Sequence, residues 1–166
     1  MRLVVDASVL VGEALRARGR RRLGDPRLDL YLPERTRGEA MHEIPRRAKH
    51  VARQRRFSDR RHRVLLDRST RVVDRNCRFV AETVYAVWEA EARRRIPRDP
   101  SDWPVVACAL AMEAAIWTAD NDFLGVGIPT WTTETLDAQL EWSSQARTPP
   151  RTPRPCEVAE AAESDC

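Results

Sequence analysis

Short apolar runs that alternate with amphipathic segments predict an α/β fold: a three-layer α/β/α sandwich with a central parallel sheet of four to five strands. Three observations carry this. The opening run, RLVVD, is apolar at consecutive positions, as in a short strand buried on both faces. AIWTA, residues 115–119, repeats that pattern far along the chain. Long helical periodicities lie between them, and parallel strands need such crossovers.

In order, RLVVD is the first strand. ASVLVGEALRA follows as a helix, with Asp6 or Ser8 at its cap. GDPR is a turn, and LDLYL, residues 28–32, is the second strand. Pro33 opens a helix whose buried stripe is Ala40, Ile44, Ala48 and Val51. SDRRHRVLLDRS is another helix, capped by Ser58 or Asp59, and TRVVD, residues 70–74, is the third strand. CRFVAETVYAVWEAEARRR reads as a helix with Phe79, Val80, Val84, Val87 and Trp88 on one broad apolar face. PRDPSD breaks it. DWPVVACALAMEA is a helix, AIWTA the fourth strand, PTWT a short fifth, and TETLDAQLEW the last helix.

The domain is expected to span residues 1–143. From 144 to 166 the chain turns proline-rich, basic and then acidic, which predicts a disordered tail. With 42% hydrophobic and 33% charged residues, the composition is that of a soluble globular chain. No apolar run reaches the roughly 20 residues of a membrane span. The opening turns acidic too early for a signal peptide, so the expected location is cytoplasmic. Cys77, Cys108, Cys156 and Cys166 have no CxxC spacing, which argues against zinc and against a disulfide framework. Net charge is +4, nearly all of it arginine; Lys49 is the only lysine. Arginines crowd residues 16–22, 46–63 and 93–95, a distribution suited to a polyanion. The plainer alternative is solvated helix faces in a chain whose codons favour arginine.

Asp6 and Asp120 stand at the carboxyl ends of predicted strands, where open parallel sheets bind ligands. Asp122 follows two residues on, and Asp102 starts the helix before the fourth strand. Glu39 and Glu43 are four apart on one helix face. Two carboxylates 4 Å apart at an effective dielectric near 20 repel by about 4 kcal/mol. A bound cation relieves that cost, and hard oxygen ligands suit Mg²⁺ or Mn²⁺. Carboxylates, a divalent ion and an arginine-rich surface together point to phosphodiester hydrolysis. Taken singly, Asp6, Asp102 and Asp122 also suit helix N-caps, and Glu43 also suits an ion pair with Arg47. Asp99 reads as a turn residue before Pro100. Trp103, Trp117 and Trp131 read as core or interface aromatics, and no nucleophile–base pair emerges around His42, His50 or His62.

Four motifs, in this order and at these intervals, make the chain resemble the PIN-domain family, and within it the VapC-type toxin ribonucleases of toxin–antitoxin pairs. They are VVDASVLV, PERTRGEAMHEIPRR, RDPSDWPVVACALAM and IWTADNDFLGVGIPTWTT, and they cover about residues 1–140. The last two are the specific ones. The resemblance implies a metal-dependent endoribonuclease with Asp6, Glu39, Asp102 and Asp120 as its catalytic acids. Asp6, Asp102 and Asp120 would hold Mg²⁺ or Mn²⁺. Asp122 and Ser8 would assist, and Glu43 competes with Glu39 for the second position. It also implies a homodimer and a small antitoxin partner. RNA phosphates would be held by arginines such as Arg46, Arg47, Arg53, Arg55 and Arg56. Two other readings stand beside it: a PIN-like module that binds RNA or protein without cutting, and a PIN nuclease of RNA processing with no antitoxin. A phosphodiesterase acting on DNA is a further possibility. The arginine-rich stretch 46–63 and the tail have no counterpart in the motifs.

Overall fold

The computed structural model describes residues 1–145. The expected proline-rich tail falls almost wholly outside them. Five strands form one all-parallel sheet: β1 (Arg2–Val5), β2 (Asp29–Pro33), β3 (Cys77–Val80), β4 (Ala115–Trp117) and β5 (Thr130–Trp131), in the spatial order β3-β2-β1-β4-β5. β1 is central. Leu3 pairs with Leu30 on one side and Ala115 on the other, and Val4 with Tyr31 and Ile116. Leu3, Val4 and Val5 are fully buried, as a strand covered on both faces requires.

Helices α1 (Ala7–Leu15) and α2 (Ala17–Leu23) connect β1 to β2. Helices α3 (Glu34–Gln54) and α4 (Asp59–Asn76) connect β2 to β3. The crossover from β3 to β4 is α5 (Glu82–Tyr85), a 3-10 turn, α6 (Glu89–Arg95), a second 3-10 turn and α7 (Trp103–Met112). Val4 and Ile116 face α7 and share a core with Tyr85, Ala92, Ile96, Trp103 and Phe123. Alternation along the strands turns Leu3, Val5, Leu30 and Leu32 to the opposite face. There α1, α3 and α4 pack against one another. The three-layer α/β/α expectation therefore holds, with five strands. The chain divides into two units, Met1–Thr133 with the sheet, and Glu134–Cys166. Described residues of the second belong to α8 (Thr133–Gln145), where the Ser143 hydroxyl donates to the Gln139 carbonyl. Among the described residues no helix is long and apolar enough to cross a membrane.

Two expectations are corrected. TRVVD is not the third strand; it is the last part of α4, and the strand is Cys77–Val80, where a helix was expected to begin. Ser69 and Val73, four apart and both fully buried, continue the buried stripe of α4 through the segment. A run of β-branched residues was mistaken for a strand because helical burial there uses only one residue per turn. The broad apolar face of residues 77–95 also fails. Val80 is buried, but Phe79, Val84, Val87 and Trp88 are exposed. The segment starts as a strand, so its helical phase is set later, and Tyr85, Ala92 and Ile96 face the core instead. The expected stripe of α3 holds at Ala40, Ile44 and Ala48; Thr36 and Ala52 extend it at either end, while Val51 is half-buried.

The arginine cluster at 16–22 is a helix in its own right, closed onto α1 by a buried ion pair between Arg22 and Glu13. Gly19 sits so close to α1 that a Cβ would lie 2.3 Å from the Glu13 carbonyl oxygen. Ala14 is held from two sides: its carbonyl accepts from Arg20 at 2.9 Å and from the Ser69 hydroxyl at 2.9 Å.

Removing one partner of a buried pair leaves an uncompensated charge. Glu13→Ala is therefore expected to destabilise the fold by about 3–5 kcal/mol, whereas Glu13→Leu combined with Arg22→Met restores most of the loss. Urea titrations of the parent, single and double variants check this. A single variant as stable as the parent would remove the pair from the structural account.

Candidate functional site

β1 connects towards β2 and β3 on one side, while β4 and β5 lie on the other, so the strand order reverses between β1 and β4. Open α/β sheets bind ligands in the crevice beyond such a reversal. Asp6 follows β1 and Asp120 follows β4 at that crevice. The two strand ends are tied there: the Asp6 N–H donates to the Trp117 carbonyl at 3.0 Å.

Asp6 occupies the N-cap position of α1, yet its side chain makes no cap hydrogen bond. Its Oδ2 instead accepts from the Ser8 hydroxyl at 2.6 Å and from the Thr118 hydroxyl at 3.2 Å. Asp102 likewise sits at the N-cap of α7 without capping it. The cap expected of Asp122 belongs to Asp120, whose Oδ1 accepts the Asp122 N–H at 2.9 Å. Thr118 was not singled out from the sequence. It is 3% exposed, and its Oγ1 also accepts the Asp120 N–H at 3.0 Å. One hydroxyl thus links Asp6 to Asp120. The signal was present in IWTAD: a polar, hydrogen-bonding residue at the carboxyl end of a buried strand, two before an acid.

The carboxylates share one electrostatic field. Asp102 is pushed up to about 6, chiefly by burial and then by the negative charges of Asp99, Asp6, Asp120 and Glu39. Burial, then Asp6, raises Glu39 as well. Glu43 stands apart, since it pairs with Arg46 at 3.2 Å and with Arg47 at 3.7 Å. Asp122 is also partnered, by Arg98 at 3.5 Å. Among the described residues, Asp6, Glu39, Asp102 and Asp120 have no arginine on them. Asp99 is the turn residue its sequence suggested, with Oδ1 accepting the Ser101 N–H at 3.0 Å. Its hydrogen bonds from Ser101 hold it below the usual carboxylate range. Its charge on Asp102 went unforeseen.

The donor set is hard oxygen throughout and fits Mg²⁺ or Mn²⁺ in kind. No three His, Cys, Asp or Glu side chains among the described residues stand close enough to enclose an ion. Cys77 and Cys108 are buried thiols pushed up to about 12, which leaves them protonated and poor nucleophiles.

The wall beside Asp102 is built on Trp103, 1% exposed. Arg35 and Arg93 lie over its ring, 5.2 and 5.4 Å from the centroid. Glu82 grips Arg35 with two hydrogen bonds of 2.7 Å. Trp117 is fully buried as expected, whereas Trp131 is half-buried. Of the arginines expected to hold RNA, Arg47 and Arg55 line a common cleft remote from the acids. Arg46 is turned to Glu43 and His42, and Arg53 and Arg56 do not line that cleft.

The PIN domain family model matches residues 4–141. The chain belongs to the PIN-domain family, whose members are in general nucleases that use Mg²⁺ or Mn²⁺. The crystal structure of PAE2754 from Pyrobaculum aerophilum is similar to it with a TM-score of 0.60. The two are 17% identical, and the match covers 86% of this chain and 90% of that one. At that identity the likeness speaks to the fold. No curated protein matches the chain.

The raised Asp102 gives a pH signature. Its folded value of about 6 lies above the ordinary 3.8, so the folded state holds the proton more tightly. That contribution is full below about pH 4 and is lost as pH rises through about 6. Asp102→Asn should flatten the melting temperature against pH. It should also exceed the parent above pH 6 by on the order of 1 kcal/mol, after discounting for solvent screening. Thermal melts from pH 4 to 8 without divalent ions read this, and parallel curves would take Asp102 out of the shared field.

Proposed function

We propose that this chain is a divalent-metal-dependent endoribonuclease, and more narrowly the toxin of a toxin–antitoxin pair resembling the VapC type. The observation that carries the nuclease reading is the convergence of four carboxylates, none held by an arginine, from four parts of the chain at the strand-order reversal. Burial and repulsion together raise Asp102. A cation would relieve this, and the site lies in a chain rich in arginine.

Asp6, Asp102 and Asp120 would hold Mg²⁺ or Mn²⁺, with Glu39 completing the set. When bound, the ion supplies charge compensation for the scissile phosphate and favours ionisation of the attacking water. The rest of the work belongs to the chain. Ser8 and Thr118 both donate to Asp6 Oδ2, so they orient this carboxylate and leave Oδ1 free for a ligand. Asp120 is held through its Oδ1 by the Asp122 N–H, which leaves Oδ2 available. Asp122, paired with Arg98 at 3.5 Å, would assist from beside Asp120. Asp102 must be ionised to act as a ligand, so the ion and the proton compete for it and metal binding should tighten as pH rises.

An antitoxin partner and a homodimer belong to the same proposal. Exposed Val84, Val87 and Trp88 supply apolar surface of the kind that self-association covers. The runner-up is a PIN-like module that binds RNA or protein without cutting. A nuclease of RNA processing without an antitoxin would use the same site.

Asp6→Asn and Asp102→Asn are each expected to lower metal-dependent cleavage of labelled total RNA by at least about 100-fold, with the fold retained. Thr118→Val should lower kcat by about 10-fold or more, the scale of an outer partner of a metal ligand, with little change in KM; Thr118→Ser should recover most of it. A folded parent that binds RNA but cleaves nothing with Mg²⁺, Mn²⁺ or EDTA would transfer the conclusion to the binding module.

A further inference from the structure

The acids are at one end of α1 and α3; the arginines gather at the other. A cleft of about 960 Å³ opens between α1, α2, α3 and α4. Arg16, Arg47, Arg55, Arg60, Arg61 and Arg68 line it, and among the described residues no acid does. Arg20 joins them from α2, half-buried, and is drawn below its ordinary value by burial and by Arg68. The floor is apolar, made by Leu15, Val51, Phe57 and Val64. Phe57 has Arg61 over its ring, 6.0 Å from the centroid. At 1.5 Å per residue, Arg47 and Arg55 lie roughly 12 and 24 Å along α3 from Glu39. Arg16 is roughly 15 Å along α1 from Asp6. The cleft is therefore separate from the carboxylate site but belongs to the same helices.

Arg47 reaches Glu43 at 3.7 Å, but concentrating the other guanidiniums with no carboxylate in the lining is costly unless an anion settles among them. Guanidinium pairs phosphate in a bidentate way, and an aromatic ring on an apolar floor offers a face for stacking. An acidic peptide supplies charge but not regularly spaced phosphates beside planar rings. We propose that this cleft is a second RNA contact. It holds backbone phosphates and a stacked base of a single-stranded segment whose scissile bond lies at the carboxylates. The link to a scissile bond rests on the nuclease reading; binding in the cleft does not.

The test is fluorescence anisotropy of a labelled single-stranded RNA oligonucleotide over a salt series in EDTA, beside hydrolysis of bis(p-nitrophenyl) phosphate with Mn²⁺. The variants are Arg16→Gln/Arg60→Gln/Arg68→Gln together, each single change, Phe57→Leu, and Arg94→Gln as an exposed arginine elsewhere. The triple variant should weaken RNA binding at least about 10-fold. It should flatten the slope of log K against log salt by about 2, as three lost phosphate contacts on a single strand require. Its hydrolysis of the small diester should match the parent. Phe57→Leu should weaken binding with the slope unchanged, and Arg94→Gln should leave both readouts alone. If the triple variant misfolds by circular dichroism, the single changes, each expected to lower the slope by about 0.7, decide the matter. Parent-like RNA binding by the folded triple or by all three singles overturns the proposal. So does loss of polyglutamate binding with RNA binding kept, which would give the cleft to an acidic protein. Absent hydrolysis by the parent, with RNA binding that the triple loses, would sink the nuclease reading and leave the cleft standing.

Discussion

Strand β1 is the constraint on which the structure depends. Leu3, Val4 and Val5 have no exposed surface, and hydrogen bonds engage the strand on both edges. A strand so enclosed must be apolar on both faces, and its first polar residue marks where the sheet stops. That residue is Asp6. The N–H of Asp6 is bound to the Trp117 carbonyl, which aligns the end of β4 with the end of β1 and brings Asp120 to the same crevice. The acids are thus placed by backbone pairing, with no need for a local motif to bring them together.

This placement separates charge along the helices. Burial and mutual repulsion raise Asp102 and Glu39 at the sheet end. Glu43, one helical turn further along α3, is already in the arginine region and is neutralised there. Beyond it the arginines outnumber their partners. α1 spans the same gradient: Asp6 precedes its first turn, and Glu13 near its end is buried against Arg22. Folding this chain means holding like charges together at two places, and both are places where a ligand of opposite charge would lower the free energy.

The failures of sequence reading are local and have one cause. VVD in residues 72–74 carries strand-like residues, yet burial of Ser69 and Val73 on one face kept it in α4. Val84, Val87 and Trp88 looked like a core face, but the phase of α5 and α6 turned Tyr85 and Ala92 inward. Apolarity says that a residue can be buried; which neighbour is available to bury it depends on elements distant in the chain. Thr118 was missed for a related reason. Its role comes from a hydrogen bond to a residue 112 positions away.

The sequence by itself determined the α/β class, the central and fourth strands, and Asp6 and Asp120 as the acids beyond their ends, because a buried parallel strand must be continuously apolar and must end in the residues that meet solvent. It also carried the four motifs that mark the family. Tertiary structure alone decided between Glu39 and Glu43 as members of the acidic field. Their spacing on the helix is equivalent, and only the positions of Asp6, Arg46 and Arg47 separate them. It alone gathered arginines from α2, α3, α4 and the turns beside them into one cleft. Charge counts are a property of the chain, but the distances at which charges act are a property of the fold.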